Sequence, residues 1–307
     1  MTLHPTPADV TFLSRDDQCA AWHFAAIDDA LAGPAGRPIA VMAHGLGGTK
    51  DSGLAPFAEG LAAAGLDVLA FDYRGFGASG GVPRQTVSIA RQVDDYRAAM
   101  AAAKRLPGVD PDRLVLWGVS LAGGHVLEAG AGRDDVAAVV SLTPLVSGAA
   151  AGRLALAHHK PTSILRSTVA GVRSRVGNPV MMPIVGRPGD VAALTLDGCY
   201  EAYTALAGPT WRNEVDAAVG LELGGLRPGR FAKELTCPLF VQIADFDRSA
   251  PPYAAAKVAF QGRAQVRHYP CDHFDVWPGA ACFDRVLAHQ VAFLRRVFSP
   301  LAEPALS

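Results

Sequence analysis

Five short and almost uninterrupted apolar runs punctuate the chain: Ile39–Ala43, Val68–Phe71, Leu114–Trp117, Val136–Leu142 and Leu239–Ala244. A half-exposed strand alternates polar with apolar residues, so unbroken runs of this length predict parallel strands buried on both faces. Between the runs the period changes. Ile89, Val93, Tyr96, Met100 and Ala103 recur at steps of four and three, as do Phe283, Leu287, Val291, Leu294 and Phe298. That spacing lines one side of a helix. Ahead of the first run, Val10–Ser14 and Cys19–Phe24 flank the polar Arg15-Asp16-Asp17-Gln18, which predicts an antiparallel hairpin at a sheet edge. Strand and helix therefore alternate in an α/β fold, a mostly parallel sheet with helices on both faces. The alternation lapses once, over residues 146–232, where Gly and Pro are frequent and the apolar pieces short. A structureless loop of that length is uncommon in a compact domain. The stretch reads as a mainly helical insertion in a core formed by residues 1–145 and 233–307.

Composition narrows the function classes. The 307 residues are 50% hydrophobic and 19% charged, enough apolar matter for a large core. A formal net charge of −1 lacks the basic excess that tracks phosphates, so nucleic acid is not an expected partner. Five cysteines (Cys19, Cys199, Cys237, Cys271 and Cys282) are an odd number without a C-x-x-C pair and read as buried free thiols. Met1–Val10 has neither the basic nor the apolar region of a signal peptide. Val136–Ala151, the longest apolar stretch, is broken by Ser141, Thr143, Pro144, Ser147 and Gly148, so no membrane span is expected. These features predict a soluble cytoplasmic protein with a small-molecule partner. No residue pattern specifies its oligomeric state.

The candidate chemistry begins where the run Leu114–Trp117 leads directly into Gly118-Val119-Ser120-Leu121-Ala122-Gly123-Gly124. A serine on a sharp strand-to-helix turn needs small residues two before and two after it so that the backbones can pass. Gly118 and Ala122 meet that need. Such a turn exposes the Ser120 hydroxyl at the sheet edge and points helix N-terminal N–H groups at any negative charge that develops there. A serine hydroxyl is a weak nucleophile, so this reading requires a base oriented by an acid. Asp245 and Asp247 both stand just past the run Leu239–Ala244, and His268 and His273 both precede the C-terminal helix. The order Ser120, Asp247, His273 is one of the known triad orders; Asp245 and His268 are the rivals.

With His44-Gly45-Leu46-Gly47-Gly48 and Asp72-Tyr73-Arg74-Gly75-Phe76-Gly77-Ala78-Ser79-Gly80 added, the chain resembles the α/β-hydrolase superfamily over essentially its whole length. Within it, the dienelactone-hydrolase, S15-peptidase and polyketide thiohydrolase-like branch is the nearest in pattern. The resemblance implies an α/β-hydrolase fold in which residues 146–232 form a helical cap. It maps the acid to Asp247, three residues after Ala244 and four before Pro251, and implies an oxyanion hole from the backbone N–H groups of Leu46 and Leu121. His44 would order the loop. Ala244 and Ala122 stand where the pattern usually has glycine. The expected activity is cofactor-independent hydrolysis of an ester, thioester or amide of an apolar acyl compound. An acyltransferase using the same acyl-enzyme and a low-turnover small-molecule-binding protein are the alternatives.

Other motifs have blander readings. Gly75 to Gly80 matches G-x-G-x-x-G, yet Pro83 delays the next helix, so a dinucleotide is not implied. Thr49 separates Gly48 from Lys50, which breaks the G-K-[ST] order of a phosphate loop. His158-His159 lack a third ligand at the next helical turn, so no metal is expected. Cys271, near His273, reads as packing. Met181, Met182 and Trp211 either line a substrate cavity or hold the insertion on the core.

Overall fold

A computed structural model describes residues 6–158 and 161–299, so His159 lies outside the described residues. The chain opens with β1 (Ala8–Ser14) and β2 (Asp17–Phe24), followed by β3 (Arg37–Ala43), α1 (Ala55–Ala62), β4 (Asp67–Phe71), α2 (Ile89–Ala103), β5 (Val109–Val119), α3 (Leu121–Gly130) and β6 (Val136–Leu142). Next come α4 (Gly148–His158), α5 (Pro161–Val176), β7 (Met181–Met182), α6 (Cys199–Leu206), β8 (Val215–Asp216), α7 (Val219–Gly224) and a 3-10 helix at Pro228–Glu234. The chain closes with β9 (Leu239–Ala244), α8 (Pro252–Gln261), β10 (Gln265–Tyr269) and α9 (Phe283–Phe298).

Eight strands form one sheet in the order β1-β2-β4-β3-β5-β6-β9-β10. The hairpin pairs antiparallel within itself and with β4, and every other neighbour is parallel. The unbroken apolar runs are explained by two cores. In β3, Ile39, Val41 and Ala43 enter a core shared with α2 and α3, while Ala40 and Met42 enter the opposite core with α1 and α9. A strand with both faces buried has no polar side to display. The predicted spans of α2 and α9 coincide with the helices seen, because the apolar stripe of each covers one core.

Two elements differ from the pattern-based expectation. β5 starts at Val109, ahead of the apolar run, because Val109 pairs with Arg37 before a register shift. Asp110-Pro111-Asp112-Arg113 hide that start from any hydropathy reading. Residues 146–232 carry the four helices α4 to α7, and also a two-stranded pair, β7 with β8, too short to leave a pattern. Among the described residues, no helix is long and apolar enough to cross a membrane.

The strand order reverses at β3, which has β4 on one side and β5 on the other. At such a switch point the connections leave toward opposite faces and open a crevice at the carboxyl ends of the strands. His44–Gly48 follows β3 there, and Ser120 follows β5.

Candidate active site

Ser120 occupies the turn between β5 and α3 with φ 57° and ψ −117°, a left-handed conformation that costs a non-glycine residue on the order of 1–3 kcal/mol. The surroundings hold it there. Its N–H donates to Leu142 C=O of β6 (2.9 Å), and its C=O accepts from Leu145 N–H (2.9 Å). A Cβ at Gly118 would stand 2.2 Å from Ala122 O, so the two chain segments of the turn touch backbone to backbone. We expect Gly118→Ala to lower the unfolding free energy by about 3 kcal/mol or more, measured by urea denaturation. A loss below about 1 kcal/mol would show that the turn relaxes.

Gly45 lies directly over the serine: a Cβ there would be 2.9 Å from Ser120 Cβ and 3.4 Å from Ser120 Oγ. The crevice at the switch point thus brings the Leu46 loop and the N-terminus of α3 to one hydroxyl. The loop is braced from behind. Asp72 accepts from the Lys50 backbone N–H (2.6 Å), the Lys50 ammonium (2.9 Å) and the Ala78 N–H (3.0 Å). Lys50 also sits 5.0 Å over the Trp22 ring. Lys50 is therefore consumed by a buried ion pair and is not presented to a phosphate. Gly75 to Gly80 is a turn closed by Gly75 N–H to Gly80 C=O (2.7 Å), with the next helix starting only at Ile89.

Asp247 and His273 meet as a buried pair, His273 Nδ1 lying 2.6 Å from Asp247 Oδ2. The other oxygen of Asp247 accepts the N–H groups of Ser249 (2.8 Å) and Ala250 (2.6 Å), so the carboxylate is fully engaged. Burial lowers the His273 pKa, but attraction to Asp247, the hydrogen bond between them and the charge of Asp272 outweigh it and leave the imidazole above its ordinary value. Asp245 pairs instead with His268 at 2.6 Å, and both are exposed on the flank of the sheet. β9 and β10 are parallel neighbours; Asp245 directly follows β9 and meets His268, still within β10, on the outside, whereas Asp247 and His273 lie three and four residues past the strand ends, where the chain has turned inward. Among the described residues, Ser120 Oγ and His273 form no hydrogen bond, although both lie at the carboxyl edge of the sheet.

His44 is 4% exposed and stacks on Trp277, with centroids 4.8 Å apart at 19°. Burial drives its pKa down to about 4, so the ring is neutral at physiological pH. It packs the loop and carries no charge toward the serine. Cys271 is a free, buried thiol whose pKa burial raises, which removes it as a nucleophile. Among the described residues, no three His, Cys, Asp or Glu side chains are grouped as a metal ion requires, and His158 is exposed.

Three positioning contacts escaped the sequence reading. Tyr203 of α6 donates its hydroxyl to Leu46 C=O (2.6 Å), and Ile184 Cδ1 is 2.5 Å from where a Cβ on Gly47 would sit. Both come from residues 146–232 and have no motif. Arg248 and Asp272 tie the acid loop to the histidine loop: Asp272 accepts from the Arg248 guanidinium (2.6 Å) and from the His273 N–H (2.7 Å). Their adjacency to Asp247 and His273 is the signal that could have revealed them. Trp211 stacks on Tyr203 at 5.4 Å, and the buried Met182 lines a cavity, whereas Met181 is partly exposed.

Comparison with known proteins agrees with this architecture. Residues 34–183 match the family described as serine aminopeptidase, S33. The chain is 35% identical over 299 residues to the quorum-quenching protein AidA of Acinetobacter baumannii, covering 95% of each. It is 33% identical over 162 residues to thiohydrolase aneE of Aspergillus aculeatus, covering 51% of this chain and 50% of that one. The crystal structure of the alpha/beta hydrolase GrgF from Penicillium sp. sh18 superposes with TM-score 0.76 at 23% identity, over 95% of this chain and 99% of that one. A strand order reversing at β3, a serine turn after β5 and a full-length relative at this identity make the chain a member of the α/β-hydrolase superfamily. It is a hydrolase of that type.

Proposed function

We propose that the protein is a serine esterase or thioesterase, acting through Ser120, His273 and Asp247 on an ester or thioester, or an amide, of an apolar acyl compound. The observation that carries the reading is the buried Asp247–His273 pair at the same strand edge as the strained Ser120 turn. Asp247 accepts the Nδ1 proton of His273, which leaves Nε2 as the acceptor for the serine proton. Ser120 Oγ attacks the acyl carbonyl as Nε2 takes its proton. The tetrahedral oxyanion is stabilised by the N–H groups of Leu46 and Leu121. His273 then protonates the departing alcohol or thiol, and water activated by the same nitrogen releases the acid.

Residues 146–232 act in this reading as a cap, with Tyr203 and Ile184 seated on the oxyanion loop. A cavity of about 250 Å³ within it, lined mainly by apolar residues such as Ile164, Met182, Val219 and Leu223 but also by Asp190, is bordered by neither Ser120 nor His273, so it offers room for the distal part of an apolar acyl group and not for the reacting carbonyl. Kinship with a quorum-quenching protein and a thiohydrolase directs the substrate search to acyl-bearing quorum signals and thioesters. Acyl transfer is the second reading, favoured by the burial of His273, since an acyl-enzyme shielded from water can be resolved by an alcohol or amine.

A fluorophosphonate probe tests the proposal without a guess at substrate. One adduct per chain, mapped to Ser120 and absent from His273→Ala, is the expected result. Failure of the wild type to react with the probe and with short p-nitrophenyl esters would overturn it in favour of a ligand-binding protein.

A further inference from the structure

The geometry points to a membrane-docking surface on the outer face of α5: we propose that this face, with the exposed part of α4, seats the protein on an anionic lipid bilayer. Leu165, Val169, Val172 and Val176 recur at steps of four, three and four, which puts them within an arc of about 60° on the helix. They are exposed by 63%, 48%, 45% and 82%, and Leu156 on α4 is exposed by 65%. The opposite side of α5 is turned inward, with Gly171 and Ser174 buried and Ile164 and Ser167 half-buried. The apolar stripe is therefore the solvent face of a helix whose inner face is already satisfied. Large apolar residues exposed singly are ordinary, whereas a continuous stripe of them is not.

Charge selects the occupant. From Val136 to Gly189 the sequence has no aspartate or glutamate, while Arg153, Arg166, Arg173 and Arg175 fall on α4 and α5. Arg166 and Arg173 flank the stripe on one side and Arg175 on the other, all three exposed. The carboxylates facing α4 and α5 are Asp190, across the cavity, and two from the β8–α7 segment. Glu222 lies 3.8 Å from Arg175, and Asp216 accepts from Ser174 Oγ (2.5 Å) on the inner face. Among the described residues, Arg166 and Arg173 form no ion pair. A second copy of the chain docked on the stripe would bring these guanidiniums against their own likeness, with no acid to compensate. The valines and the leucine form the outer side of a single helix, bordered by arginines. It matches an interfacial amphipathic helix, apolar side in the acyl boundary and basic flanks among anionic headgroups. Ala155 of α4 and Ile164 and Gly171 on the inner side of α5 line the mainly apolar cavity. Docking there brings the cavity to the phase in which acyl compounds concentrate. The inference does not depend on the catalytic reading.

Vesicle co-sedimentation of the whole protein tests it, with phosphatidylcholine vesicles containing about 30% phosphatidylglycerol set against pure phosphatidylcholine at about 0.1 M salt. Partitioning at least about tenfold stronger on the anionic vesicles is expected, falling as salt rises. Arg166→Gln with Arg173→Gln should weaken it about thirtyfold, and Val169→Ser with Val172→Ser about tenfold. All four side chains are exposed, so melting temperatures within about 3 °C of wild type are the expected control. Equal binding to both vesicle types, or variants that bind like wild type, would overturn the proposal. A wild-type dimer in sedimentation velocity that Val169→Ser with Val172→Ser splits into monomers would assign the stripe to a second copy and overturn it as well.

Discussion

Replacing Ser120 with alanine is expected to lower turnover of a p-nitrophenyl ester by a factor on the order of 10⁴ to 10⁶, the scale on which a serine hydrolase depends on its nucleophile. The melting temperature should stay within about 2 °C. Both halves follow from the geometry. Among the described residues the hydroxyl makes no hydrogen bond, so its removal leaves no buried partner unsatisfied. Alanine and serine carry the same Cβ and bear the φ of 57° at similar cost. Ser120→Gly separates the two roles of the position, chemistry and strain. It should be as inactive as the alanine variant yet about 1 kcal/mol more stable, because glycine adopts that φ without a steric penalty. Activity within tenfold of wild type in Ser120→Ala would remove the serine from the mechanism, whatever the fold.

How much of this was legible beforehand depended on whether the deciding physics is local. The eight-stranded core was largely readable, since burial on both faces forces unbroken apolar runs, as in Ile39–Ala43. The serine turn was readable because the close approach of Gly118 to Ala122 permits few residue types. The pairing of Asp247 with His273 was only half readable. Asp245 and Asp247 are chemically alike and both follow β9, and the choice between them rests on how far the chain turns past Ala244. Tyr203 and Ile184 were not readable at all. Each acts through a contact about 140 residues or more away in sequence with the loop at Leu46 and Gly47, and a lone tyrosine or isoleucine carries no motif. The structure of residues 146–232 was the least accessible, in part because α5 buries small residues such as Gly171 and Ser174 inward and leaves valines outward. The apolar stripe of that helix, Leu165, Val169, Val172 and Val176, is on the surface.

The acid should prove nearly as important as the nucleophile, and Asp247→Asn tests it with little disturbance of packing. An asparagine keeps an oxygen to accept the N–H groups of Ser249 and Ala250, so the loop is expected to hold. What changes is the face toward His273: an amide N–H₂ placed against Nδ1 favours the tautomer protonated at Nε2, which cannot accept the serine proton. Turnover should fall about 10⁴-fold. The pH profile gives a second, independent reading. In the wild type Asp247 holds the His273 pKa above about 6.5 against the effect of burial, so kcat/KM should be lost as pH falls through that raised value. Without the carboxylate, burial dominates, and the acid limb of the residual activity should move to lower pH. The sign for stability is opposite: the protonated pair stabilises the fold fully below the unfolded value of about 6.5 and loses that contribution as pH rises through the folded pKa. Asp245→Asn is the matched control. It breaks only the exposed pair with His268, and a change of less than about threefold is expected. If the two asparagine variants exchanged phenotypes, the acid would be Asp245 and the buried Asp247–His273 pair would be structural.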